Sequence, residues 1–136
     1  MLERAQIIKF QQRGDEKGWL VAVESGNEIP FDIKRIFYIF GTQGNVVRGK
    51  HANRKSEFVL INLAGSSKVR VDYGDSEEVF VLDSPDTGLY IPKLVWKDMY
   101  DFSPDSVLLV LSNEQYDTQE YIRDKQQYCK EIGVTE

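Results

Sequence analysis

Short apolar runs, each bounded by residues that favour turns, make up most of this 136-residue sequence. Val, Ile, Leu, Phe and Tyr, which are common in strands, fill the runs, and Gly, Asp, Ser or Pro bound them. The runs cover residues 18–24, 33–40, 57–63, 67–73, 78–82, 88–92, 95–100 and 106–111. This spacing predicts antiparallel β-structure, because parallel strands would need crossover helices between them.

The C-terminal segment has the only clear helical pattern. Asp117 is a candidate N-cap, Glu120 follows three residues later, and Gly133 is a candidate stop. At helical spacing, one face would carry Tyr121, Ile122, Tyr128, Cys129 and Ile132. We therefore predict an all-β sandwich or small barrel with one C-terminal helix, forming a single domain over residues 1–136.

The overall composition excludes several classes of protein. Lys and Arg number 17 against 22 Asp and Glu, and this net charge of −5 argues against a nucleic-acid partner. No run approaches the roughly 20 apolar residues of a membrane-spanning helix, so we expect no membrane partner. The N-terminus lacks the pattern of a secretory signal, and Cys129 is the one cysteine, so we expect a cytoplasmic protein without a disulfide.

Positive charge is concentrated in residues 48–55, which contain four cations, the single histidine His51 and no acid. Arg and Lys in such a segment suit a phosphate-bearing small ligand, although composition alone slightly favours a solvated loop. Residues 44–51 nearly match a P-loop, but His51 replaces the hydroxyl residue that binds Mg²⁺, and a strand follows instead of a helix. We therefore reject a nucleoside-triphosphatase.

Residues 44–65 resemble the first conserved motif of the cupin β-barrels, in the form His51-x-Asn53-x-x-x-Glu57 with Gly65, and residues 92–97 resemble the second. Two of the four usual cupin metal ligands, His51 and Glu57, are kept, whereas Asn53 and Lys97 replace the other two. An amide and an ammonium make a poor transition-metal site, so we expect no bound metal.

Residues 5–129 are similar more specifically to the sugar-nucleotide 3,4-ketoisomerases that act on dTDP-4-keto-6-deoxyglucose. The matching pieces, in order, are residues 18–24, 29–40, Arg48-Gly49-x-His51-Ala52, 82–90, 96–103 and Tyr116-Asp117-x-x-x-Tyr121-Ile122-Arg123. The resemblance implies a cupin jelly roll, a dTDP-linked deoxysugar substrate, a homodimer and a role in making deoxysugars for surface polysaccharide such as lipopolysaccharide.

The resemblance also implies the chemistry. A base removes the C3 proton of the sugar, an enediol forms, and C4 is protonated, without any cofactor. His51 aligns with the family's first catalytic histidine and titrates in the required range. The second histidine of the family's motif is Asn53 here, and Lys97 follows Trp96 where the family has histidine.

Several alternatives follow from these departures. His51 could move the proton alone, with Tyr38, Asp98 or a water as relay. The chain could instead bind a sugar nucleotide without catalysis, or act as an isomerase or epimerase on a related nucleotide sugar. Lys97 could stabilise an enediolate or simply project into water.

The remaining candidate residues would bind substrate. The resemblance implies that Arg35 and Arg48 hold the diphosphate, and that Tyr38, Tyr90, Trp96 and Met99 line the barrel. Asn53, Lys55, Glu57 and Lys97 complete the predicted substrate-binding set. Aromatic residues in barrel strands are often ordinary core, whereas an Arg35 that points inward would require an anion.

Overall fold

The computed structural model describes residues 2–134, so the terminal positions of the predicted domain, 1, 135 and 136, lie outside the described residues. Twelve strands and one α-helix are found within them. The strands are β1 (Gln6–Lys9), β2 (Gln12–Asp15), β3 (Gly18–Val21), β4 (Arg35–Phe40), β5 (Arg48–Asn53), β6 (Phe58–Ala64), β7 (Ser67–Asp72), β8 (Glu77–Leu82), β9 (Thr87–Ile91), β10 (Trp96–Tyr100), β11 (Val107–Ser112) and β12 (Tyr121–Ile122), and the helix is α1 (Lys125–Ile132).

Two five-stranded sheets form the body of the protein. The first has the strand order β1-β9-β6-β11-β4, the second has the order β12-β5-β10-β7-β8, and β2 and β3 form a separate hairpin. Every pair of neighbouring strands is antiparallel. The predicted all-β architecture with a C-terminal helix is therefore confirmed. No helix within residues 2–134 is long and apolar enough to cross a membrane.

The main core lies between the two sheets, where alternate residues of facing strands meet. Leu60, Leu89 and Val110 come from the first sheet, and Val69 and Val71 come from the second. Burial alternates along β7, in which Val69 and Val71 are fully buried. Strand β6 is buried on both faces, which explains its continuous apolar sequence.

Two smaller clusters cover the outer faces of the sheets. Ile29 and Phe31 pack with Val59, Ile61 and Leu111 on the outer face of the first sheet. On the outer face of the second sheet, helix α1 packs Tyr128 and Cys129 against Trp96, Ala52 and Ile122. The Tyr128 hydroxyl donates to the carbonyls of Asp72 (3.0 Å) and Leu94 (2.8 Å), which fixes the helix to the sheet.

The start of the helix differs from the prediction. Asp117 caps only a short 3₁₀ turn over Thr118–Glu120, and Tyr121 and Ile122 form strand β12 against β5. Asp124 is the true N-cap of α1, where its side chain accepts from the Gln126 amide at 2.9 Å. Pairing with the edge of β5 outweighs the helical pattern of this segment. The predicted stop is correct, since Gly133 ends the helix with a left-handed φ of 78°.

Candidate active site

A cavity of about 140 Å³ lies between the two sheets. Strands β4, β6 and β11 line it from the first sheet, and β5, β10 and β12 line it from the second. Its lining combines cations, one imidazole and apolar side chains, and among the described residues it contains no carboxylate: Arg35, Phe37, Ile39, Arg48, Gly49, His51, Phe58, Leu60, Lys97, Met99, Val110 and Tyr121. Such a cavity suits an anionic ligand that also has apolar parts.

His51 projects into this cavity from β5. Its Nδ1 lies 3.0 Å from the carbonyl oxygen of Gly49, and a carbonyl can only accept, so Nδ1 carries the proton. Burial, followed by the nearby positive charge of Lys97, lowers the pKa of His51 from 6.5 to about 3. The imidazole is therefore neutral at physiological pH, and its Nε2 has a free lone pair with which it can accept a proton.

Lys97 lies directly opposite His51, on the neighbouring strand β10. It is only 3% exposed, its Nζ donates to the Oδ1 of Asn53 at 3.1 Å, and the Nζ lies 4.4 Å from the centre of the Phe58 ring. Burial lowers the pKa of Lys97 from 10.5 to about 7, an effect that the negative charge of Glu120 partly offsets. Lys97 thus faces the cavity and does not project into water.

Arg35 and Arg48 supply the remaining positive charge of the cavity. The Arg35 guanidinium stacks on the rings of Phe37 (4.5 Å) and Tyr116 (4.9 Å), and its Nη1 lies 3.5 Å from the hydroxyl of Tyr121. Arg48 is exposed and also lines the cavity. No salt bridge ties either guanidinium to a carboxylate among the described residues, so both are available to an anionic ligand.

Tyr38 and Asp98, the two residues predicted as possible proton relays, do not line this cavity. Tyr38 is 62% exposed, because side chains alternate along β4 and the inner face is taken by Arg35, Phe37 and Ile39. Asp98 likewise points away from the cavity and forms an ion pair with Arg70 at 3.5 Å. The prediction that Tyr38 lines the barrel is therefore wrong, and neither Tyr38 nor Asp98 is placed to relay a proton from His51.

Glu57 and Tyr90 also lie away from the cavity. The Tyr90 hydroxyl donates to the Glu57 carboxylate, which also accepts from the Asn113 amide at 3.1 Å. Glu57 is thus turned away from His51, so the two cupin-type ligands do not converge. No group of three or more His, Cys, Asp or Glu within residues 2–134 could hold a metal ion, and the residues present do not fit a cupin metal site.

Two further residues of the predicted substrate-binding set, Trp96 and Lys55, lie outside the cavity. Trp96 is buried beneath helix α1, with its ring 5.6 Å from that of Tyr128, and it belongs to the outer core. Lys55 lines a separate surface groove together with Lys34 and Glu114. Met99, in contrast, lines the cavity.

Phe37 and Tyr121 also line the cavity, although neither belongs to the site residues predicted from the sequence. The Tyr121 ring lies 4.7 Å from the His51 ring and closes one side of the cavity. Tyr121 was assigned to a helix, so its place beside His51 was not predicted. The one available signal was the tail segment around Tyr116 and Tyr121, which is among the pieces similar to the ketoisomerases.

The sequence matches the family described as WxcM-like, C-terminal (FdtA) over residues 3–133. The chain belongs to this family. This WxcM-like chain is 45% identical over 128 residues to the TDP-4-oxo-6-deoxy-alpha-D-glucose-3,4-oxoisomerase of Aneurinibacillus thermoaerophilus, covering 94% of this chain and 92% of that enzyme. The resemblance seen in the sequence is confirmed.

Solved structures agree with this assignment. The sugar 3,4-ketoisomerase QdtA from Thermoanaerobacterium thermosaccharolyticum, in complex with TDP, superimposes with a TM-score of 0.94 at 43% identity, covering 98% of the WxcM-like chain and 97% of QdtA. A histidine-to-asparagine mutant of QdtA in complex with TDP-4-keto-6-deoxyglucose superimposes with a TM-score of 0.93 at 42% identity, covering 97% and 96% of the two chains. The fold is therefore that of the cupin-like ketoisomerases.

Proposed function

We propose that this chain is a 3,4-ketoisomerase that converts a dTDP-4-keto-6-deoxyhexose to its 3-keto isomer. The observation that carries the proposal is a neutral imidazole, His51, in a cationic cavity whose lining contains no carboxylate among the described residues. The relatives named above support the substrate class, since their names specify a TDP-linked 4-keto-6-deoxyglucose.

His51 acts as the base. Its free Nε2 accepts the proton from C3 of the sugar, an enediol forms across C3 and C4, and the imidazolium returns a proton to C4. The free protein disfavours an imidazolium because Lys97 is close and the site is buried. A bound diphosphate brings negative charge to this cavity, which makes the protonated state of His51 less costly when it is needed.

Arg35 and Arg48 bind the diphosphate. Both guanidinium groups line the cavity without a protein carboxylate as partner, and each can form paired charge-assisted hydrogen bonds to phosphate oxygens. The aromatic rings that stack on Arg35 hold its guanidinium plane in place before the ligand arrives. Phe37, Met99 and Tyr121 provide apolar surface for the sugar or the base.

The assembly is a homodimer, and the protein acts in the cytoplasm, in the synthesis of deoxysugars for surface polysaccharide. Exposed apolar side chains support the dimer: Trp19 and Leu20 on the β2–β3 hairpin, and Ile36, Tyr38 and Phe40 on the outer face of β4. These two surfaces offer a second copy of the chain a place to pack.

The proposal is tested with purified protein and dTDP-4-keto-6-deoxyglucose, with product formation followed by proton NMR. We expect a 3-keto product from the wild type. His51→Asn should lower turnover at least about 10²-fold and leave dTDP affinity nearly unchanged, because the imidazole acts on the sugar carbon. A wild type that binds dTDP without forming product would identify a binding protein without isomerase activity.

A further inference from the structure

Moving a carbonyl from C4 to C3 requires two proton paths, and His51 provides only one of them. The carbon path takes a proton from C3 to C4. The oxygen path must add a proton to O4, which becomes a hydroxyl, and remove one from O3, which becomes a carbonyl. If the chain has the proposed function, a second group must therefore move the proton between O3 and O4.

The residue at the second histidine position cannot serve this path. Asn53 is 1% exposed and does not line the cavity, and a carboxamide does not exchange protons near neutral pH. Its Oδ1 instead accepts from the Nζ of Lys97, and its buried Nδ2 has no hydrogen-bond partner. The Asn53 side chain therefore holds Lys97, and it also interacts with His51.

Lys97 has the geometry of a proton carrier. It is opposite His51 in the register of β5 and β10, and both side chains line the same wall of the cavity. Its Nζ has one protein acceptor, Asn53 Oδ1, so the other two N–H bonds of an ammonium group remain for a ligand. Tyr38 and Asp98, the other relay candidates, point out of the cavity.

We propose that Lys97 carries the oxygen proton of the reaction. The Lys97 ammonium donates a proton to O4 while His51 Nε2 takes the proton from C3, which leaves a neutral enediol, a neutral amine and an imidazolium. The amine then takes the proton from the O3 hydroxyl while the imidazolium protonates C4. Lys97 and His51 both return to their starting states, so no other reactant is consumed.

The charges around Lys97 are consistent with this cycle. Strand β7 presents only Val71 to it in register, and β6 presents the Phe58 ring. The ionisable groups that face it from the remaining elements are His51, Arg48, Arg35 and Tyr121, which line the same cavity, and the buried carboxylate of Glu120. Burial brings the pKa of Lys97 down to about 7, so its ammonium and amine forms are both accessible near neutral pH.

A covalent role for Lys97 does not give turnover. If the amine condensed with the C4 ketone, water would leave and an imine would form. Removal of the C3 proton would give an enaminol, and its ketonisation would leave C3 as the ketone with the lysine nitrogen bonded to C4 as a stable secondary amine. The enzyme would thus be consumed, so Lys97 acts by proton transfer alone.

The test uses Lys97→Arg, which keeps the positive charge but cannot release a proton near neutral pH. We expect turnover to fall about 10²–10⁴-fold. The rate of the wild type should decrease at alkaline pH, where Lys97 loses its proton, and this decrease should be absent in Lys97→Arg. Lys97→Met removes both the charge and the transferable proton, so its turnover should fall at least as much as that of Lys97→Arg.

Calorimetric binding of dTDP shows which variants are folded. Lys97→Arg turnover within about tenfold of wild type, with an unchanged pH profile, would mean that Lys97 contributes charge only and would overturn the inference. If Lys97→Arg does not bind dTDP, the Lys97→Met variant decides, since retained turnover in that variant also excludes a proton carrier. A wild type without activity would instead refute the proposed function itself.

Discussion

Arg35 shows at the scale of one residue how a barrel strand can hold a charge on its inner face. Its neighbours on that face, Phe37 and Ile39, are apolar, and the guanidinium is kept in place by stacking on Phe37 and Tyr116. Stacking uses the faces of the guanidinium plane and leaves its edge free. The edge is the part that binds phosphate oxygens in a bidentate manner.

Replacing Arg35 should therefore weaken nucleotide binding specifically. We expect Arg35→Met to reduce dTDP affinity about 10–100-fold, because a charge-assisted hydrogen bond contributes about 1.5–3 kcal/mol. Lys34→Met is the matched control, since Lys34 is the adjacent cation but lies outside the cavity and pairs with Glu114 at 3.9 Å. Isothermal titration calorimetry at fixed salt measures both. An equal loss of dTDP affinity in the two variants would mean that binding depends only on the overall positive charge of this region.

At the scale of elements, the pairing of β5 with β10 determines the site. The register shifts between Lys97 and Asp98, and Gly49 lies at this irregularity with a φ of 86°. A Cβ at Gly49 would come 2.9 Å from the Lys97 carbonyl oxygen. Glycine thus allows the two strands to approach closely while its carbonyl holds the His51 ring.

Gly49→Ala should affect stability and activity together. A left-handed φ alone lowers the free energy of unfolding by roughly 1 kcal/mol when the residue has a side chain. We expect Gly49→Ala to lower it by more than this, because the backbone of β10 must also shift. Gly26→Ala separates the two effects, since Gly26 has a φ of 74° but no atom within 4 Å of its Cβ position. Urea unfolding and turnover measure the difference. Similar losses of stability and turnover in both variants would mean that the close approach of β5 and β10 at Gly49 is not important.

The elements were predictable to the extent that burial leaves a pattern in the sequence. Strands such as β7 and β11 follow from their apolar residues, whereas β5 was missed because Arg48, Lys50 and His51 gave it the composition of a loop. The inward direction of Lys97 and the outward direction of Tyr38 were not predictable either. Side-chain direction depends on strand register and on the bulge in β10, which are set by tertiary contacts.

For the whole molecule, the hairpin and the outer face of β4 are two of the places where large apolar side chains are exposed. Trp19 is 65% exposed and Phe40 is 67% exposed, although both are large and apolar. Strand β4 is also an edge strand of the first sheet. A free edge with apolar side chains is a surface that natural proteins usually cover.

We therefore expect a dimer in solution, with twice the chain mass of 15.7 kDa by light scattering. Phe40→Glu should convert it to a monomer, because a carboxylate would be buried in the interface. Val79→Glu is the control: Val79 is also exposed and apolar, but it lies on β8 at the edge of the other sheet. A monomeric wild type, or a dimer lost only in Val79→Glu, would contradict this arrangement.

The most direct test of the central claim is proton NMR of the purified protein with dTDP-4-keto-6-deoxyglucose in D₂O, against a control for spontaneous exchange. We predict enzyme-dependent loss of the C3 proton signal with formation of a 3-keto product, and neither change with His51→Asn. Retention of the C3 proton by a wild-type sample that binds dTDP in calorimetry would contradict it.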